Sequence, residues 1–249
     1  MFRLDGKIAL VTGSGGGLGV GIAQALAGQG AHVIVNDLYP ARAEATAESL
    51  ALAGFRATAA PFDVTDGDAA AETIVRLSRD IGPIDILVNN AGNSGGHVFQ
   101  QKPFAELLPS QWQPFIDVNL MGVLHCTRAV IGGMSERRWG RVITISSTAG
   151  RVGASINVSI YGAAKAGAAH FMRHLSQEVA RDGVTANNIS LGFMNTANEE
   201  FNRKMAPKIP VGRVGTGDDV GAAAVYLASN EAAWVTGSTL VVDGGSTPF

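Results

Sequence analysis

The chain of 249 residues is 46% hydrophobic and 16% charged, with 32 glycines. That is enough apolar material for one large α/β core, while a formal charge of -2 offers no basic field for nucleic acid. A charge content this low also fits a subunit that buries surface against copies of itself, which points to a homo-oligomer.

The first residues, Met1-Phe2-Arg3-Leu4-Asp5-Gly6-Lys7, lack the apolar core of a signal peptide. No apolar run approaches the roughly 20 residues of a membrane span. The expected location is therefore the cytoplasm. Cys126 is the single cysteine, which excludes an internal disulfide and a cysteine-based metal cage.

Short Val/Ile-rich runs predict strands over 8–11, 32–36, 57–62, 84–88, 141–145, 185–189 and 239–242. Alanine-rich amphipathic stretches predict helices over 18–28, 41–53, 69–79, 111–134, 161–180 and 218–228. Apolar strands alternating with helices along the whole chain indicate a seven-stranded parallel sheet covered on both faces. This is the doubly wound fold, in one domain over 1–249, whose ligands sit at the carboxyl ends of the strands. Residues 93–109 and 193–217 break the rhythm, and the second stretch reads as a substrate lid.

The first predicted strand runs into Thr12-Gly13-Ser14-Gly15-Gly16-Gly17-Leu18-Gly19. Glycines here let the backbone turn sharply and bring a pyrophosphate onto the N–H groups of the next helix. The G-x-G-x-x-G pattern fails in every frame. What fits is T-G-x-x-x-G-x-G, with Gly13, Gly17 and Gly19. Asp37 ends the second strand, where a carboxylate accepts both ribose hydroxyls and repels a 2′-phosphate, favouring NAD over NADP. Arg42 lies near it in sequence, on a helix whose charges are expected to face solvent. Asp63 and Val64 end the third strand, where Asp63 is placed to bond an adenine amino group. Asn89-Asn90-Ala91-Gly92 ends the fourth, with small residues where a ribose would pack.

Tyr161 and Lys165 fall on one helical face four positions apart, shortly after Ser146-Ser147. A nearby cation stabilises phenolate, so the spacing suits a proton-transfer pair. His170 and His174 share a similar spacing, but nothing in the chain supplies the third and fourth ligands of a zinc site, so no metal is expected.

With Thr12–Gly19, Asn89–Gly92, Asn119, Ser147, Tyr161, Lys165 and the Val-Val-Asp-Gly-Gly stretch at 241–245 in view, the chain resembles the short-chain dehydrogenase/reductase family over essentially its full length. The resemblance implies a Rossmann-type fold, a homotetramer and a catalytic set of Asn119, Ser147, Tyr161 and Lys165. Ser147 would hold the substrate oxygen, and the Ser-x-x-Gly pattern closing on Gly150 selects it over Ser146 and Thr148. Tyr161 would be the acid/base, and Lys165 would lower its pKa and bind the nicotinamide ribose. Asn119 would bind a water linking Lys165 to solvent. Cofactor contacts would come from Gly13, Gly17, Leu18, Gly19, Asp37, Leu38, Asp63, Val64, Asn90, Ala91, Gly92, Tyr161, Lys165, Gly192, Met194 and Thr196. The family's usual Pro-Gly after the sixth strand reads Leu191-Gly192 here, which adds a backbone N–H. The gap from Ser147 to Tyr161 is one residue longer than usual.

The resulting expectation is an NAD-dependent oxidoreductase that interconverts a secondary alcohol and a ketone. Residues 94–97, 153–158 and 193–201 offer small and apolar groups with Asn157 as one polar handle, so an uncharged, largely apolar substrate is expected. The alternatives are reduction of a 3-oxoacyl thioester and, in a different class, a nucleotide-binding regulator without catalysis.

Overall fold

The computed structural model describes residues 1–92, 102–153, 156–195 and 198–247. Seven strands form one sheet: β1 (Ile8–Val11), β2 (His32–Val35), β3 (Ala57–Ala59), β4 (Ile86–Asn89), β5 (Gly140–Ser147), β6 (Val184–Leu191) and β7 (Thr239–Val242). Their spatial order is β3-β2-β1-β4-β5-β6-β7, and every pairing is parallel. The chain reverses direction across the sheet between β1 and β4, which opens a crevice beyond their carboxyl ends.

Helices cover both faces. On one lie α1 (Gly17–Gly28), α2 (Pro40–Leu52) and α8 (Gly217–Ala228), packed with Ala9, Val33, Ile86 and Ile189. On the other lie α3 (Gly67–Asp80), α5 (Gly122–Glu136) and α6 (Ser159–Val179), packed with Leu10, Ile34, Leu87 and Val142. Alternate residues of one strand thus feed opposite layers, as a sheet buried on both sides requires. Helix α1 meets α8 through glycine: a Cβ on Gly21 would lie 2.6 Å from Gly217. Helix α3 begins at Asp66, whose carboxylate accepts from Asp68 and Ala69 N–H at 3.1 and 3.0 Å.

Departures from the predicted boundaries have local causes. The strand expected over 57–62 stops at Ala59 because the Asn36 amide takes the Ala60 and Phe62 carbonyls at 3.1 and 3.0 Å. β5 and β6 run two residues past their predicted ends, and Ser147 pairs with Leu191. Leu191, where the family resemblance leads one to expect proline, is thereby buried between β5 and β7. The helix expected over 111–134 is a continuous stretch from α4 (Pro109–Ile116) through a π turn (Asp117–Met121) into α5. Pro109–Glu136 spans 28 residues, and its most apolar 18-residue window has a mean hydropathy of 1.2. Its α5 half packs on β4, β5, α3 and α6, which accounts for the apolar content within the α/β layers. The 193–217 stretch contains a short helix the pattern did not announce, α7 (Glu199–Met205), which Asn198 caps by accepting from Phe201 N–H at 3.0 Å.

Candidate active site

A cleft of about 810 Å³ runs along the carboxyl ends of β1, β2, β4, β5 and β6. It is lined at one end by Asp37, Leu38 and Arg42, and at the other by Ser147, Tyr161, Lys165 and Met194. Each strand end contributes because the register of the parallel sheet aligns them.

The glycine turn between β1 and α1 is held from behind. The Asn90 amide donates to the Thr12 and Gly13 carbonyls at 2.8 and 2.9 Å, while Thr12 Oγ1 accepts from the Asn90 and Ala91 N–H groups at 3.0 Å each. Gly13 N–H donates to Asn36 Oδ1 at 3.3 Å. A Cβ on Gly13 would lie 2.8 Å from Ala91 Cα, and one on Gly19 would lie 2.6 Å from Ser14 Cα, so side chains are excluded there. Gly16 and Gly17 differ: a Cβ on either would meet nothing within 4 Å. Their backbone faces open cleft, and α1 starts at Gly16 without a side-chain cap. Uncapped N–H groups at the start of a helix, with no side chain in front of them, form a cradle for an anion.

Asp37 is buried, yet its carboxylate is spoken for only in part. Oδ2 accepts from Gly15 N–H at 3.2 Å and Oδ1 from Tyr39 N–H at 3.0 Å, and each oxygen has further acceptor capacity for a hydroxyl. Arg42 lines the same end and stacks over the Tyr39 ring at 4.6 Å. Arg42 is exposed, as expected, and also borders the cleft, because helix α2 starts at Pro40 and its first turn lies against the cleft mouth. Asp63 Oδ1 accepts from Thr65 N–H and Oγ1 at 2.8 Å each, which orders the turn that presents Val64 to the cleft. These donors, acceptors and open glycines fit a dinucleotide.

At the other end, Tyr161 and Lys165 project from the first turns of α6. Lys165 is buried, and its Nζ donates to the Ile145 carbonyl at 2.8 Å. Burial pushes its ammonium down to about 8. Asn119 lies in the π turn, fully buried, with Nδ2 donating to the Phe115 carbonyl at 2.9 Å. A π turn widens the helix locally and re-aims its side chains. Gly92 separates the two: a Cβ there would lie 2.8 Å from Lys165 Nζ and 3.0 Å from Asn119 Oδ1.

The Ser147 hydroxyl lies close enough to Tyr161 to favour the ionised phenol. Ser147 Oγ also accepts from Ala149 N–H at 3.2 Å. Ser146, by contrast, is buried and donates to the Lys165 carbonyl at 3.3 Å, so it pins α6 to β5. Lys165 is expected to lower the Tyr161 pKa, but the net direction is upward. Burial raises the phenol above its ordinary value, and the neighbouring Ser147 hydroxyl only partly opposes this. The Lys165 ammonium is 5.9 Å from the ring centroid and directed to a carbonyl.

Gly192 and Met194 line the cleft beside this group. Met194 forms a parallel bridge with Gly215, with Gly215 N–H on the Phe193 carbonyl at 3.0 Å and Asn195 N–H on the Gly215 carbonyl at 2.8 Å. The two ends of the 193–217 stretch are thus joined at its base. Thr196 lies outside the described residues, as do 94–97, 154 and 155 among the expected pocket positions. Asn36 is a site residue that no motif assigns, while Thr12 and Arg42 join the site from positions beside the glycine turn and Asp37. A polar residue ending a strand was the available signal for Asn36. His170 and His174 meet on the exposed side of α6, Nε2 to Nε2 at 3.2 Å, away from the cleft residues.

The family model described as "Enoyl-(Acyl carrier protein) reductase" matches residues 13–247. With this cleft at the switch point of a parallel sheet, the match defines an oxidoreductase that takes a nicotinamide dinucleotide. Nodulation protein G of Azospirillum brasilense is 40% identical over 96% of this chain and 97% of its own length. Acetoacetyl-CoA reductase of Shinella zoogloeoides is 37% identical over 96% and 98%. Among solved structures, gluconate 5-dehydrogenase of Burkholderia cenocepacia in complex with NADP and tartrate superposes with a TM-score of 0.91 at 34% identity, covering 100% of this chain and 98% of the other. The chain belongs to the short-chain dehydrogenase/reductase family.

Proposed function

We propose that this enzyme interconverts a secondary alcohol and a ketone with Tyr161 as the proton-transfer group. The observation that carries the reading is the meeting of Ser147, Tyr161 and the buried Lys165 in one cleft. The bound nicotinamide supplies the hydride chemistry. In ketone reduction, Tyr161 Oη gives its proton to the substrate oxygen, and in alcohol oxidation it takes that proton back. Ser147 Oγ donates to the same oxygen and stabilises the charge that develops on it. Lys165 keeps one donor on the Ile145 carbonyl and directs the others toward a ribose and the phenol. Asn119 holds the far side of Lys165 and admits a water to it.

Gly17, Leu18 and Gly19 would hold the pyrophosphate; Val64, Asn90, Ala91 and Gly92 would line the adenosine and ribose path. The Asp37 carboxylate supports NAD as the preferred cofactor, because a 2′-phosphate would meet a negative group. Arg42 opposes that preference from the same cleft end, as does the NADP in the Burkholderia relative. The 193–217 stretch acts as a lid hinged at the Met194–Gly215 bridge, over a single catalytic domain. The subunit works as a cytoplasmic homotetramer, in keeping with its low charge content.

A second reading, reduction of a 3-oxoacyl thioester, is supported by the name of the Shinella relative. Steady-state kinetics on a cyclic or aryl ketone beside acetoacetyl-CoA, with each cofactor, separate the two. Higher kcat/KM on the ketone is expected. Higher kcat/KM on the thioester replaces the first reading with the second, and no turnover of either refutes both.

A further inference from the structure

The last described turn of the chain, residues 243–247, touches three parts of the site at once. Its organiser is Asp243. One carboxylate oxygen accepts from Gly245 N–H at 2.9 Å, and the other from the Thr247 N–H and hydroxyl at 2.8 and 2.5 Å. Ser246 Oγ closes the turn on the Asp243 carbonyl at 2.8 Å. The carboxylate is partly buried, which alone would raise its pKa, but the hydrogen bonds from Thr247, Gly245 and Ser246 outweigh this and hold it below its ordinary value.

Each neighbour of this turn belongs to a different functional segment. Thr247 Oγ1 accepts from Arg151 Nη1 at 3.4 Å, and Arg151 directly follows the 3-10 turn Thr148–Gly150 that Ser147 opens. The Gly244 carbonyl accepts from Val211 N–H at 3.1 Å, and a Cβ on Gly244 would lie 2.6 Å from Ile209 Cγ2, so the lower end of the 193–217 stretch is seated on it. The main chain of Asp243 abuts Gly192, where a Cβ would lie 2.7 Å from Asp243 Cβ. Gly192 in turn lines the cleft beside Tyr161. A turn stabilised only to order a chain end would need none of these three contacts.

We propose that Asp243 is a positioning residue: the turn it holds ties the base of the lid, the Gly192 floor of the cleft and the Ser147 loop into one unit. This rests on the catalytic reading above for its consequence, though not for its geometry. Thr247 is the link through which the unit reaches Arg151, because its hydroxyl donates to Asp243 while accepting from the guanidinium.

The test compares Thr247→Val, Thr247→Ser and Asp243→Asn in the full-length enzyme. Amide hydrogen exchange is followed at 148–153 and 209–212, with kcat, KM and cofactor affinity measured in parallel. Thr247→Val and Asp243→Asn should speed exchange about tenfold or more in both segments, whose protection reflects local opening. They should lower kcat about tenfold through misplacement of the Ser147 loop, leaving cofactor affinity within about threefold. Thr247→Ser, which keeps the hydroxyl, should behave as wild type. Faster exchange confined to 243–247, or spread evenly through the sheet with a matching loss of melting temperature, would overturn the proposal. Should no substrate turn over, the exchange pattern still decides it, so failure of the catalytic reading is told apart. Should Asp243→Asn not fold, the two Thr247 variants carry the comparison.

Discussion

Gly92→Ala offers a test of whether Lys165 works through its position. The added methyl would lie 2.8 Å from Lys165 Nζ and 3.0 Å from Asn119 Oδ1, inside the roughly 3.5 Å at which such atoms repel. Asn119 is fully buried with its amide on the Phe115 carbonyl at 2.9 Å, so it has little room to give. Lys165 must move instead, by the better part of an ångström, off its line to the Ile145 carbonyl. Swinging the end of a flexible side chain off its rotamer costs about 0.5–1.5 kcal/mol. For a chain of this size that corresponds to a melting-temperature loss of roughly 1–6 °C. A catalytic group displaced by about 1 Å costs on the order of 10²-fold in rate. Circular dichroism melting and kcat at saturating cofactor should therefore separate, with rate falling far more than stability. Adding Gly92→Ala to a Lys165→Met background should cost little further, since the moved group is already gone. A Gly92→Ala enzyme with kcat within threefold of wild type would refute the reasoning, and so would full additivity in the double variant.

Three further outcomes concern Lys165, the cofactor and the oligomer. Burial lowers Lys165 to about 8 from 10.5, so between those pH values the unfolded chain holds a proton the folded chain has released. Wild-type stability relative to Lys165→Met should then rise from about pH 8 to pH 10.5 in denaturant titrations; a flat difference would contradict the buried-cation assignment. NADH should be preferred over NADPH by at least about tenfold in kcat/KM, equivalent to about 1.4 kcal/mol. Asp37→Ala should narrow that gap and Arg42→Ala widen it, whereas equal use of both cofactors by wild type would show that Arg42 offsets Asp37. Light scattering at micromolar concentration should give the mass of four chains, and a monomer would remove the oligomer from the account.

The sheet was legible in the sequence because each buried strand is a near-continuous Val/Ile run and each covering helix is alanine-rich. Strand ends were less so: β3 stops early because one side chain, Asn36, takes two carbonyls, and pattern does not announce that competition. The π turn at Asp117–Met121 was invisible for a related reason, since it inserts a residue into a helix without altering its apolar character. Helix α7 is only seven residues long and rich in charge, so it carried too little periodicity to register. Among the candidate site residues, Ser147, Tyr161 and Lys165 were readable from spacing and resemblance, and the cleft brings them together. Spacing could not convey burial, which is why the direction of the Tyr161 pKa was reversed. Arg42 is exposed as its helix position implies, and only the placement of α2 shows that it also meets the cleft.

The most direct test of the central claim is Tyr161→Phe, assayed for turnover and for NADH affinity on the same preparation. Removal of a proton donor lowers rate by about 10² to 10⁴-fold. The substitution removes one hydroxyl and keeps the ring, so NADH affinity should change by less than about threefold, below about 0.7 kcal/mol. The account predicts that separation of chemistry from binding. Retention of more than about a tenth of wild-type kcat, which the donor role does not permit, would contradict it.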